Sequence, residues 1–169
     1  MKERGIIFNG EMVRAILDGR KAQTRRIISP QPELTERSGF SWKGALFGAG
    51  SDDRETNRNF AHCRCPLGKV GDRLWVRETC YATRSTPHGI RAVAYPADNE
   101  IKIIEYADQH IEKWGTLFHY RNGDGQKVPS IHMPRWASRI TLEITDIRVE
   151  RNGEQWEWIV DFKRVEAAC

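Results

Sequence analysis

The sequence predicts a mainly β protein of the α+β class, a small barrel with one or two short helices and a long polar excursion. Two segments, 140–144 and 156–162, alternate apolar and polar residues as half-buried strands do. Asn152-Gly153 between them is typical of a two-residue hairpin turn. Further short apolar segments, separated by turn residues, recur along the chain, as they do in small all-β barrels.

The N-terminal part predicts a strand, a helix and a second strand. Residues 6–8 are apolar and favour a strand. Asn9 is a good N-cap, and apolar residues then recur at helical spacing over 10–18. Gly19 stands where a helix C-cap glycine belongs, so the chain reverses there and 24–28 forms the next strand.

The middle of the chain is less periodic. Residues 29–62 are polar with Gly and Ser, which predicts a partly ordered surface loop. The remaining predictions are strands at 74–78, 91–95 and 101–106, a hairpin of 118–121 with 127–128 around Asn122-Gly123, a loop or single turn at 130–136, and a bulge at Asp146-Ile147.

Composition limits the class of protein. The 169 residues, of which 39% are hydrophobic and 30% charged, predict a single soluble domain. No apolar run is long enough for a membrane span, and the N-terminus is too polar for a signal peptide, so we expect a cytoplasmic protein. Four cysteines are then expected as free thiols, and His62-Cys63-Arg64-Cys65 lacks the spacing of a zinc site. We expect neither a metal nor a cofactor.

Charge is distributed unevenly. The formal net charge is +4, but residues 1–91 carry +7 and residues 92–169 carry −3. A basic first half favours an anionic partner such as nucleic acid or a nucleotide. The alternative is a solvated surface whose charges cancel in three dimensions.

The run GRKAQTRR places cationic groups and one hydroxyl between the first helix and the second strand. If 24–28 is a strand, Thr24 and Arg26 share one face and Arg25 lies on the other. With Arg20 and Lys21, they predict an anion-binding cleft. A lysine of lowered pKa could also accept a proton from Thr24 and make it a nucleophile. The alternative is a basic, solvated sheet edge.

Two other segments carry candidate residues. His132 and Arg135 suit phosphate contacts, and Trp136 suits base stacking, although a core tryptophan explains the same residue equally well. Glu78 ends a predicted strand and is a candidate catalytic acid, or an ion-pair partner that orients Lys21. Its alternative is a surface glutamate paired with Arg77 or another cation. Arg77 completes the predicted ligand-binding set.

Four motifs, in order along the chain, resemble the ASCH domain of the PUA-like superfamily, in particular the phage and prophage proteins of enteric bacteria. They are ILDGRKAQTRR, VGDRLWVRET, PSIHMPRWASRITLEITDIRVER and WEWIVDFKRV. Segments 29–62 and 96–126 lie outside the resemblance. It implies a PUA-like pseudo-barrel whose cleft, after the first helix, binds RNA or a modified nucleoside.

The resemblance also implies one catalytic alternative. A bacterial ASCH branch removes the acetyl group from acetylcytidine with a Lys-x-x-Thr pair, which Lys21 and Thr24 match. Its glutamate lies in a helical segment between the last two strands, and here residues 151–155 join those strands directly, so no residue is carried over. A third alternative is a phage accessory protein whose protein partner contacts exposed aromatics within 40–47. Oligomeric state is not predicted.

Overall fold

The computed structural model describes residues 1–35, 39–47, 53–85, 89–105 and 109–166. The chain divides into two compact units that alternate along the sequence. Unit 1 contains residues 1–4, 22–74 and 142–169, and unit 2 contains residues 5–21 and 75–141. The single domain expected from the sequence stays a prediction.

The described residues form a mainly β structure. Their helices are α1 (Gly10–Leu17), α2 (Asp53–Arg64) and α3 (Ile111–Phe118), so there is more helix than the one or two expected. The strands are β1 (Glu3–Ile7), β2 (Gln23–Ile27), β3 (Glu33–Leu34), β4 (Phe40–Trp42), β5 (Ala45–Phe47), β6 (Arg73–Arg77), β7 (Tyr81–Ser85), β8 (Ile90–Tyr95), β9 (Glu100–Ile103), β10 (Thr141–Asn152) and β11 (Gln155–Val165). None of these helices has the length and apolar character needed to cross a bilayer.

The largest of the described sheets has five strands in the order β1-β6-β10-β11-β2. The predicted C-terminal hairpin is confirmed, and Gly153 in its turn has a φ of 60°, which suits glycine. In β10 the buried side chains alternate up to Ile144 and resume at Ile147, so the pattern slips where the bulge was predicted. Closure of the sheet into a barrel stays a prediction.

The excursion at 29–62 is more regular than a surface loop. Its described part forms the three-stranded sheet β3-β4-β5 and helix α2. Phe40 and Phe60 are buried, and the Phe60 ring stacks on Trp158 with 5.0 Å between centroids. The loop prediction is therefore wrong here, because aromatic side chains spaced along a polar segment complete the core of unit 1. Phe40 is not an exposed aromatic available to a protein partner, although Leu46 is exposed.

Unit 2 combines α1 with the three-stranded sheet β7-β8-β9 and helix α3. The predicted limits of α1 are confirmed: Asn9 accepts a hydrogen bond from the Met12 amide at 2.9 Å, and Gly19 has a φ of 74°. The predicted hairpin at 118–128 is wrong. Instead, Phe118 ends α3, Tyr120–Asn122 form a 3-10 turn, and Val128 pairs with Cys80 in an isolated antiparallel bridge. Helix α3 buries Trp114 and Leu117, three residues apart on one helix face, against the core of this unit.

Candidate nucleic-acid interface

The candidate site is built on residues 130–139 of unit 2. Pro129 and Pro134 each precede a single 3-10 turn, Ser130–His132 and Arg135–Ala137, as the predicted loop or single turn requires. Met133 and Ala137 are buried and anchor the segment. The side chains between these anchors therefore face outward: His132 and Arg135 are exposed and Trp136 is half-buried.

A buried ionic network holds the end of this segment. Both carboxylate oxygens of Glu78 accept hydrogen bonds from the Arg139 guanidinium, at 2.8 and 2.9 Å. Arg139 donates a third bond to Asp98 at 2.7 Å and lies 4.1 Å from the centre of the Tyr95 ring. The Tyr95 hydroxyl donates to the Ala137 carbonyl at 2.6 Å. These bonds fix the backbone on the C-terminal side of Trp136.

The charges of this network are stabilised by their pairing. Burial of Arg139 opposes its charge, but its hydrogen bonds to Glu78 and Asp98 prevail and raise the pKa of the guanidinium. Burial of Asp98 likewise opposes ionisation, but the hydrogen bonds from Arg139 and from the Glu100 amide, together with the charge of Arg139, outweigh it, so the pKa of Asp98 is lowered. Burial, with a smaller effect of Glu78, raises the pKa of the nearby Cys80 thiol to about 12. Cys80 is thus an unreactive core thiol.

Glu78 corrects one expectation from the sequence and confirms another. It is 1% exposed, so it is not a solvated surface glutamate, but it is paired with a cation as expected, and that cation is Arg139 rather than Arg77. Both of its oxygens accept bonds from one guanidinium, which fixes the orientation of the carboxylate. A catalytic role for Glu78 stays a prediction. Sequence reasoning missed Arg139, because the two residues are 61 positions apart.

A basic cavity of ≈ 500 Å³ lies on one side of Trp136. It is lined by Lys102, His110, Lys113, Arg135, Trp136 and Ser138. The described residues that line it include no Asp or Glu. The Lys102 ammonium donates to the Trp136 carbonyl at 3.2 Å, and the His110 ring stacks on the indole with 5.7 Å between centroids. Three cationic side chains and an imidazole therefore line one cavity together with an aromatic residue.

A second cavity of ≈ 440 Å³ adjoins the first, with which it shares Trp136 and Lys113. It is lined by Lys113, Thr116, Leu117, Tyr120, His132, Pro134 and Trp136. The Tyr120 and His132 rings are 6.1 Å apart between centroids. We call the two cavities together the Trp136 surface, the first the basic cavity and the second the aromatic cavity.

Arg77 supports the Trp136 surface by binding the backbone of its first 3-10 turn. It donates hydrogen bonds to the carbonyls of Ser130, at 3.2 Å, and Ile131. Its guanidinium and that of Arg135 lie 5.4 and 5.8 Å from the centre of the Trp75 ring. Arg77, predicted as a ligand-binding residue, thus holds the 3-10 turn that carries His132.

The run GRKAQTRR is divided between the two units, since Arg20 and Lys21 belong to unit 2 and the residues from Ala22 onward to unit 1. Arg20 forms an exposed ion pair with Asp18 at 2.9 Å. The Lys21 ammonium lies 5.8 Å from the centre of the Phe8 ring.

In unit 1, the predicted faces of β2 are confirmed. Thr24 is 2% exposed and Arg26 half-buried, whereas Arg25 between them is exposed. Arg25 pairs with Glu150 at 3.3 Å and Glu157 at 3.4 Å. The Thr24 side chain lies opposite Val160 in the sheet and is buried, and its catalytic role stays a prediction.

Metal-binding and thiol chemistry are not apparent in the described part of the chain. Within it, no three His, Cys, Asp or Glu side chains are grouped as a metal site requires. Cys63, Cys65 and Cys80 are free thiols there.

The basic cavity owes three of its residues, Lys102, His110 and Lys113, to segment 96–126, which lies outside the ASCH motifs. The helical spacing of Ile111, Trp114 and Leu117 was a signal that could have revealed α3. No signal in the sequence places Lys102 beside Trp136.

No family model, curated protein or solved structure matches this chain. The resemblance to the ASCH domain therefore stays a prediction from the four motifs.

Proposed function

We propose that this protein is a nucleic-acid-binding module that takes single-stranded RNA at the Trp136 surface. The observation that carries the proposal is the basic cavity: Lys102, Lys113 and Arg135 border a half-buried indole, and no carboxylate is among the described residues of its lining. Cationic side chains bind phosphates regardless of sequence, and an indole supplies a face on which a base stacks. Single-strand binding requires cations for the phosphates and an aromatic face for a base, and both are found at Trp136.

The preference for a single strand follows from the aromatic side chains. Stacking on Trp136, Tyr120 or His132 needs a base whose face is open, and a duplex hides its base faces. RNA rather than DNA is proposed on the ASCH resemblance, which also supplies the proposed PUA-like pseudo-barrel.

The amidohydrolase alternative has less support. The Thr24 side chain is buried and the Glu78 carboxylate is held by Arg139. Binding requires neither group to react, so we propose binding alone.

Fluorescence anisotropy with a labelled single-stranded RNA of about 12 nucleotides tests the proposal. Trp136→Ala should weaken binding by roughly 5- to 150-fold, because stacking of one base contributes about 1–3 kcal/mol. Trp136→Phe, which keeps a ring, should recover much of this loss. Tyr81→Ala is the matched control, since Tyr81 is a half-buried aromatic of unit 2 that lines neither cavity. Absence of RNA binding at low salt, or equal losses in Trp136→Ala and Tyr81→Ala, would refute the proposal.

A further inference from the structure

We infer that the Trp136 surface recognises one nucleotide as a unit, with the base in the aromatic cavity and its phosphate in the basic cavity. The inference rests on the proposed function and narrows its ligand class. A nucleotide is bound as a phosphate-bearing group, free or within a strand, and a neutral nucleoside is a much weaker ligand.

The basic cavity suits the phosphate. Lys102, Lys113 and Arg135 approach it from strand β9, helix α3 and the second 3-10 turn. Cations that converge from three elements, without an acid among the described lining residues, attract an anion more strongly than the same cations spread along one exposed face. Ser138, only 8% exposed, also lines this cavity, but its hydroxyl already donates to the Val76 carbonyl at 2.8 Å. Recognition of the phosphate is therefore mainly electrostatic.

The aromatic cavity suits the base. Its lining brings three rings, those of Tyr120, His132 and Trp136, to one space with the apolar side chains of Leu117 and Pro134. Its ≈ 440 Å³ lies within the range of pockets that enclose small ligands. A planar, weakly polar base gains from stacking there, whereas a hydrated phosphate does not.

The two cavities are joined by shared residues. Trp136 and Lys113 line both, so a base on the aromatic side has the cations of the basic side next to it. Meanwhile, the His110 ring already stacks on Trp136 on the basic side. This arrangement leaves the aromatic side for the base and fixes the direction in which the nucleotide lies.

Isothermal titration calorimetry with cytidine, cytidine 5′-monophosphate and inorganic phosphate tests the inference. Wild-type protein should bind the monophosphate about 10- to 100-fold more tightly than cytidine, the range expected from charge-assisted hydrogen bonds to one phosphate. Lys102→Met, which removes the charge and keeps an apolar stem, should reduce this ratio several-fold without changing cytidine binding. His132→Ala should weaken both ligands and leave the ratio unchanged. Lys127→Met is the control, since Lys127 is an exposed lysine of unit 2 outside both cavities.

The outcomes separate the inference from the proposed function. If RNA binds and depends on Trp136, but cytidine and its monophosphate bind equally, the inference is wrong and the proposed function stands. If inorganic phosphate binds as tightly as the monophosphate, or Lys102→Met and Lys127→Met have equal effects, the inference is also wrong. If neither RNA nor the monophosphate binds, the proposed function and the inference both fail; if only the monophosphate binds, the proposed function fails and the inference stands for a free nucleotide.

Discussion

Two basic regions of this protein differ in what surrounds their charges. In the run GRKAQTRR, cations are adjacent in sequence, but Arg20 and Arg25 are paired with carboxylates and exposed to solvent. At the Trp136 surface, Lys102 and Lys113 are distant in sequence from Arg135 and line one cavity without an acid among its described lining residues. Charge density along a sequence is thus a poor measure of the potential that a ligand meets, because folding decides which acids come to lie beside which cations.

The ion pairs that belong to the two regions also differ in how far they are exposed to solvent. The ion pair of Asp18 with Arg20 is exposed, with more than half of each side chain accessible, and such pairs contribute little. The Glu78–Arg139 pair is largely buried, with side chains 2% and 15% exposed. Of these two pairs, the buried one is suited to hold a binding surface rigid.

The largest expected effect is on stability. Glu78→Ala should lower the free energy of unfolding by about 3–5 kcal/mol, since it leaves a buried guanidinium without its main partner. Asp18→Ala, the control at the exposed pair, should lower it by about 1 kcal/mol or less. Urea denaturation measures the free energy of unfolding of both variants. Similar losses in Glu78→Ala and Asp18→Ala would contradict the claim that the Glu78–Arg139 pair stabilises the protein more than the Asp18–Arg20 pair does.

The contribution of Asp98 to the free energy of unfolding should depend on pH, which gives a second test of the ion pairs of Arg139. Because its folded pKa is lowered below the unfolded value of about 3.9, its contribution is complete above that pH and is lost as the pH falls through the lower folded pKa. Asp98→Asn should cost about 1.5–3 kcal/mol at pH 6, and this cost should shrink toward pH 2.5. A cost that does not change with pH would contradict the assigned ion pair.

For Asp98, the informative quantity is the difference in free energy of unfolding between Asp98→Asn and the wild type at each pH. Asp72 in unit 1 also has a lowered pKa, mainly because the backbone amides of Lys2 and Lys69 donate to it. The wild-type curve alone therefore reports both carboxylates.

The smallest expected effect concerns Thr24. Wild-type protein and Thr24→Val should both release no cytidine from acetylcytidine, because the Thr24 side chain is buried. Chromatography of the incubated nucleoside measures this. If the wild type releases cytidine and Thr24→Val does not, GRKAQTRR is a catalytic site, and the functional region is this run rather than the Trp136 surface.

Local signals in the sequence were sufficient for part of the fold. The N-cap Asn9, the glycine at position 19 that follows the C-cap of α1, and the alternation that predicts the β10–β11 hairpin each act over a few residues, and each was confirmed. The excursion at 29–62 was misread, because Phe40 and Phe60 are isolated in sequence and become a cluster only when they pack with Trp158.

The candidate site was predictable only in its central segment. His132, Arg135 and Trp136 are close in sequence and were identified together as a phosphate and base contact. Lys102 and Lys113 could not be identified, since their proximity to Trp136 depends on how β9 and α3 pack. The pairing of Glu78 with Arg139 depends likewise on tertiary structure.

The most direct test of RNA binding at the Trp136 surface compares two variants that each remove two positive charges. RNA affinity is measured at several salt concentrations for Lys102→Met/Lys113→Met and for Arg20→Met/Arg25→Met. The first variant should reduce the slope of log affinity against log salt by about 0.7 for each phosphate that the protein no longer neutralises, and the second should leave the slope unchanged. Equal reductions would show that net charge alone governs binding. A reduction confined to Arg20→Met/Arg25→Met would place the RNA at GRKAQTRR and contradict binding at the Trp136 surface.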